Sequence, residues 1–134
     1  LSWTRRFRGQ ARRAAHLLHR LLALPPPTYS LAGRVGEGLV NLPASMLLLP
    51  FHGVRRLVPA YSRLLQASLG IRRAAERGEI FHLSAHPFTL PSSPRMLETL
   101  ERIFELVAAQ RDQSRIVTLT MSEMANIVRN DEPA

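Results

Sequence analysis

Cysteine is absent from the 134 residues. That excludes disulfides and thiolate metal sites, and it leaves the compartment, cytoplasmic or envelope-associated, open. Lysine is absent as well, so all 18 basic side chains are arginine. Aspartate occurs only as Asp112 and Asp131. Aromatic residues make up 6% of the chain, and Trp3, Phe7 and Tyr29 are too few and too scattered to form a stacking platform for single-stranded nucleic acid. The longest nearly apolar run, Leu42 to Phe51, is interrupted by Pro43 and Pro50. It is too short to span a bilayer, which takes about 20 residues. Gly33, Gly36 and Gly38 do not open a helix and make no phosphate loop, and no serine lies in a G-x-S-x-G elbow. The start lacks the unbroken apolar stretch and small-residue cleavage site of a secretory signal.

What is present suits one globular domain. Apolar residues are 46% of the chain, enough for a core. The net charge of +8 is unevenly placed. Residues 1–93 carry a net +10 and residues 94–134 a net −2. A basic half is compatible with compositional bias, with an arginine-rich module that binds nucleic acid or an anionic membrane surface, or with a larger domain whose acidic part lies elsewhere. Because the chain starts at Leu1 rather than methionine, we expect a piece of a longer protein.

Hydrophobic spacing predicts a helix over residues 10–24, with Ala14, Leu17, Leu18, Leu21 and Leu22 on the apolar face and His16, His19 and Arg20 in solvent. Pro25-Pro26-Pro27 ends it. A loop follows over 28–37, then a buried extended stretch over 38–50 that breaks at Pro43. A second helix is expected over 59–77, with Leu64, Leu65, Ser68, Ile71, Ala74 and Ala75 on one face and Gly78 as its C-terminal stop. A third is expected over 92–113, with Ser93 as N-cap, Pro94 in the first turn, and Leu97, Leu100, Phe104 and Val107 as the apolar stripe. "RIVTL", residues 115–119, reads as a β-branched strand, and "TMSE", 120–123, as a capping box opening a last helix. Alternation of this kind argues a parallel sheet with crossover helices, either a small open α/β domain or the back half of a barrel.

"FHLSAHPFTL", residues 81–90, is the stretch with chemical content. Ile80 to Leu83 reads as a buried strand, which Pro87 terminates because it has no N–H to donate. His82 and His86 then fall on one face, with His86 at the carboxyl end, where sites form in parallel α/β folds. Helical spacing of the same pair would suggest a zinc site, but the proline and the short run argue against a helix. His52 sits in a turn beside Gly53 and has a weaker claim, and no acid lies at an obvious strand end.

"GLVNLPASMLLLPFHG", "GIRRAAERGEIFHLSAHPFTL" and "MLETLERIFELVAAQRDQSRIVTLTMSEMA" resemble, in that order, the C-terminal part of the polysaccharide deacetylases. The likeness covers residues 38–128, and its most specific element is the paired-histidine strand followed by His-Pro-aromatic. It implies an α/β fold that is the C-terminal portion of a distorted (β/α) barrel, with about three parallel strands and crossover helices. Residues 1–134 would be a single partial domain, with 1–37 an insertion or connecting segment. It further implies a hydrolase that removes N-acetyl groups from amino-sugar polymers using a divalent metal, commonly zinc. His86 matches the family's late histidine, the general acid that protonates the departing amine. His82 matches the earlier histidine of the same strand and supports the pocket, while Ser84 and Phe88 are expected to contact the carbohydrate. The family's metal ligands and catalytic aspartate belong to its N-terminal half. Their motifs do not occur here, so no metal ligand is assigned to this chain and it is expected to be inactive without that half. This sequence departs from the pattern at Ser84, where relatives often have tryptophan, and at Thr89, where they often have asparagine. The partners implied are an N-acetylated glycan and the N-terminal half of the same protein, rather than nucleic acid or a membrane span.

Overall fold

The computed structural model describes residues 11, 14–30, 35–36 and 39–130. The chain is mixed α/β, mostly helical, around a small parallel two-stranded sheet. Residues 14–21 form helix α1. Strands β1 (Val35–Gly36) and β2 (Leu39–Val40) pair antiparallel, Val35 with Val40 and Gly36 with Leu39. Strand β3 (Met46–Leu48) is followed by a 3-10 turn (Gly53–Leu57) and helix α2 (Ala60–Arg77). Strand β4 (Leu83–Ala85) leads into a second 3-10 segment (Pro87–Ser92), helix α3 (Pro94–Asp112) and helix α4 (Met121–Asn130).

β3 and β4 are the parallel pair, in the register Met46–Leu83, Leu47–Ser84 and Leu48–Ala85. Helix α2 is the crossover between them, as parallel strands require. It ends where the sequence indicated, at Gly78, whose φ of 64° is left-handed. The Gly78 N–H returns to the carbonyl of Ala74, closing the last turn. Helix α3 starts after extended Ser93 with Pro94 in its first turn.

The core is made by Met46 and Leu48 of β3, Ala67 and Ile71 of α2, and Met96 and Ile103 of α3. Leu48, Ala67, Met96 and Ile103 are essentially sealed from solvent. Full burial of a side chain of this size stabilises the fold by about 1.5–3 kcal/mol.

Both long helices are turned relative to the stripes drawn from the sequence. On α3 the inward face runs through Met96, Thr99 and Ile103, leaving Leu97 and Phe104 largely exposed. On α2 the inward face includes Arg63, Gln66 and Gly70 beside Ala67, Ile71 and Ala74. Polar side chains could turn inward because each finds main-chain partners: Gln66 donates to the carbonyl of Leu24 at 3.0 Å, and Arg63 to that of Arg55 at 2.9 Å. Helix α1 departs further. Leu18 and Leu22, expected on its buried face, are exposed, whereas His19 and Arg20 are half-buried. His19 Nδ1 lies 3.4 Å from Gln66 Nε2, so it is not the solvated side chain expected.

Two strand expectations are corrected. The strand placed at Ile80–Leu83 begins only at Leu83, because Ile80 is engaged by Tyr29 in an isolated antiparallel bridge. Residues 115–119 form no strand and follow α3 as irregular chain. The sheet therefore has one parallel pair instead of about three parallel strands. Residues 10, 12 and 13 of the helix expected over 10–24, residues 31–34 and 37 of the loop expected over 28–37, and the C-terminal residues 131–134 lie outside the described residues.

Candidate functional site

His82 and His86 flank β4, one at each end, and their surroundings give them different capacities. His82 is fastened on several sides. Its main-chain N–H donates to Ser45 Oγ at 3.1 Å, and its carbonyl accepts from the N–H groups of Ser45 and Met46 at 2.8 and 3.1 Å. Its ring Nδ1 lies 3.2 Å from the carbonyl oxygen of Pro43. A carbonyl only accepts, so Nδ1 carries the proton and Nε2 is left as an acceptor. The hydroxyl of Ser84 faces Nε2 at 3.5 Å, the outer limit of a hydrogen bond. The break that Pro43 makes in the extended stretch is therefore what presents a carbonyl to this imidazole.

His86 is exposed at the carboxyl end of β4. Its carbonyl accepts from the N–H of Thr89 at 2.9 Å and from Thr89 Oγ1 at 2.8 Å, which fixes the backbone at the entry to the 3-10 segment. Pro87 suits this first position, since an N–H there would have no partner inside the turn. The imidazole stacks on the ring of Phe88, centroids 5.3 Å apart and planes 13° from parallel. Phe88 is itself 77% exposed. The result is a surface pair, an imidazole and a phenyl face beside one another, both open to a ligand. Ring stacking of this sort orients the imidazole without occupying its nitrogens. Ser84, on the strand between the two histidines, is half-buried and turned toward His82.

Among the described residues no group of three His, Asp or Glu side chains could hold a metal ion. His82, the inner histidine, has both ring nitrogens facing protein partners. The described residues therefore do not fit a divalent metal.

A cavity of about 830 Å³ lies at the other end of β4 from His86. It runs between residues Ile80–Leu83 and the irregular stretch 115–120, under Ile71, Ile103 and Val107. His82 borders it, whereas His86, Phe88 and Ser84 do not. Its walls are mostly apolar and it occupies the side of β4 where the strand expected over 115–119 would have paired.

A group of charges at the outer edge of β3 escaped the sequence analysis. Arg20, Arg55 and Arg63 are 35 and 8 residues apart in sequence but close in space: Arg63 donates to the main chain of Arg55, and the charge of Arg55 lowers the proton affinity of Arg20 and, together with that of Arg20, the proton affinity of Arg63. Arg63 is held down to about 10, first by burial and then by the charges of Arg20 and Arg55. Its guanidinium lies 3.6 Å over the ring of Phe51. Only the inward-facing position of Arg63 on the α2 face, out of keeping with an amphipathic stripe, could have signalled it.

Comparison with protein-family models, with curated proteins and with solved structures gives no match. No helix among the described residues is long and apolar enough to cross a membrane.

Proposed function

We propose that this chain is the C-terminal part of a carbohydrate deacetylase, a hydrolase that removes N-acetyl groups from amino sugars, and that His86 is its general acid. The observation that carries the reading is the exposed His86–Phe88 pair at the carboxyl end of parallel strand β4, in which stacking on Phe88 leaves the ring nitrogens of His86 open to a ligand. When an amide is hydrolysed the amine is a poor leaving group until its nitrogen is protonated. A protonated imidazole can donate that proton in the transition state, a contribution of about 10²–10⁴ in rate. Phe88 offers an apolar face to a sugar ring beside it, and His82 with Ser84 keeps the strand in place through the clamp to Pro43 and Ser45. In this reading the chain is the C-terminal portion of a distorted (β/α) barrel, and the other strands of that barrel, its divalent metal and the base that activates water belong to the remainder of the protein. The described residues supply none of them, so the chain alone is expected not to hydrolyse an acetamide.

The test uses the chain preceded by its upstream coding sequence. Zinc-dependent release of acetate from N-acetylated chito-oligosaccharides is measured with and without His86→Ala. Activity that requires both the upstream part and His86 supports the assignment. If acetate is released at the same rate by the His86→Ala variant, the acid is another residue and the reading fails.

A further inference from the structure

Along the outer edge of β3 the main chain is met by side chains instead of a neighbouring strand. In a parallel ladder successive residues direct their main-chain groups to opposite sides. Met46 and Leu48 face β4, as the bond from the Met46 N–H to the His82 carbonyl requires. Leu47 and Leu49 then present their carbonyls outward. Arg20 Nη1 donates to the carbonyl of Leu47 at 3.3 Å, and Arg63 Nη1 donates to that of Leu49. The two carbonyls are about 7 Å apart at the usual rise of a strand. Arg63 Nη2 reaches the carbonyl of Arg55 at 2.9 Å, which brings the third arginine alongside.

These three guanidinium groups have no acidic partner among the described residues. The ion pairs found there join Arg72 to Glu76, Arg102 to Glu98 and Arg111 to Asp112, all elsewhere on the surface. Arg63 is 2% exposed, and its Nε is buried with no hydrogen-bond partner. Burial and like charges both depress the proton affinities of Arg63 and Arg20, so the cluster is held together against repulsion. A buried cation without a counter-charge is costly, and the cost falls when an anion is bound. Arginine forks match the oxygens of a phosphate group in particular.

We propose that Arg20, Arg55 and Arg63 form a binding site for a phosphate group, free or carried on a sugar. Arg63 is the buried anchor, tied to Leu49 and Arg55 and backed by Phe51. Half-buried Arg20 and exposed Arg55 supply the donors that reach the ligand. Leu48 pairs with Ala85, so Leu49, whose carbonyl Arg63 holds, and His86 lie just beyond the carboxyl ends of neighbouring strands. A phosphate at the arginines would sit on the same end of the sheet as the imidazole. Only the sugar-borne form of the ligand rests on the deacetylase reading.

The test is calorimetric titration of the full chain with inorganic phosphate at fixed ionic strength, chloride being the balancing anion. N-Acetylglucosamine 6-phosphate and N-acetylglucosamine serve as further probes. Saturable binding of one phosphate per chain is expected. Arg55→Gln and Arg20→Gln should each weaken it by about tenfold or more, as loss of one charge-assisted contact implies, while the far-UV circular dichroism is unchanged. Tighter binding of the sugar phosphate than of phosphate, with the same dependence on Arg55, identifies a sugar-borne ligand. Equal binding of the two identifies phosphate itself. Absence of saturable phosphate binding, or binding indifferent to both substitutions, overturns the site. The readout involves no turnover, so failure of acetate release leaves it standing and its own failure leaves the role of His86 standing.

Discussion

The imidazole of His82 donates from Nδ1 to the main-chain carbonyl of Pro43 across 3.2 Å. That one bond joins β4 to the loop before β3, and it separates the two histidines of the motif into a fastened one and a free one. His82→Ala should lower stability by about 1–2 kcal/mol, because a half-buried carbonyl loses its donor. His86→Ala should change it by no more than about 0.5 kcal/mol, the usual range for an exposed side chain, since at the N-cap of the 3-10 segment the imidazole makes no capping hydrogen bond. Urea midpoints of the two variants measure the difference. Equal losses would mean that His86 also holds the fold and is less free for chemistry than its exposure indicates.

Gly70 lies inside α2, where glycine costs about 1 kcal/mol relative to alanine. Its replacement should nevertheless destabilise. A Cβ there would stand 2.5 Å from Phe81 Cε2 and 2.8 Å from Pro26 Cγ. Overpacking of this kind costs about 1–3 kcal/mol, at the upper end more than the helix gains. Thermal unfolding of Gly70→Ala should show a lowered midpoint, and adding Phe81→Leu should restore it.

The start of α4 should respond to acid. Glu123 Oε2 accepts from the N–H of Thr120 at 2.7 Å and from its hydroxyl at 2.8 Å, while the Glu123 N–H donates to Thr120 Oγ1 at 3.2 Å. The bond to the Thr120 N–H, and then that to its hydroxyl, hold the carboxyl below the usual carboxylate range. A carboxyl depressed on folding adds stability above its unfolded pKa, and that stability is lost as pH falls through its folded pKa. The midpoints of the wild type and of Glu123→Gln should therefore differ most at neutral pH and converge as the solution is acidified below that range. Absence of a gap at neutral pH would show that the cap acts through the Thr120 hydroxyl alone, and a gap that persists at low pH would show that it does not depend on the charge of the carboxylate.

Residues 116–119 should exchange their amide protons rapidly, since they take no place in a ladder, whereas those of β3 and β4 should be protected. Amide exchange followed by NMR reads both. Protection of 116–119 matching that of β4 would mean that this stretch pairs with β4 and closes the cavity beside it.

Local features of the fold were legible where local chemistry decides them. The αL stop at Gly78, the proline start of α3 and the reciprocal cap of Thr120 and Glu123 each follow from a few neighbouring residues. Ile71 and Ala74 of the α2 stripe are buried, and Leu64, Leu100 and Val107 pack against the core as their spacing implies, but an apolar face is broad, and packing on β3 and β4 turned Ala67, Met96 and Ile103 further inward than Leu65, Leu97 and Phe104. Residues 115–119 have the composition of a strand, but β-propensity does not act without a paired edge, and the stretch stands off from the open side of β4 across the cavity.

The sequence by itself determined where helices begin and end, where β4 must stop, and that two histidines frame it. Turn chemistry, caps and proline act over three or four residues and survive in any surroundings. Only the tertiary structure decided which histidine is bound and which is free, and that Arg20, Arg55 and Arg63 meet. Those outcomes depend on carbonyls of Pro43, Leu47 and Leu49 that carry no mark in the sequence. Their direction is set by strand register, and register is fixed only when the parallel pair and its crossover helix pack together.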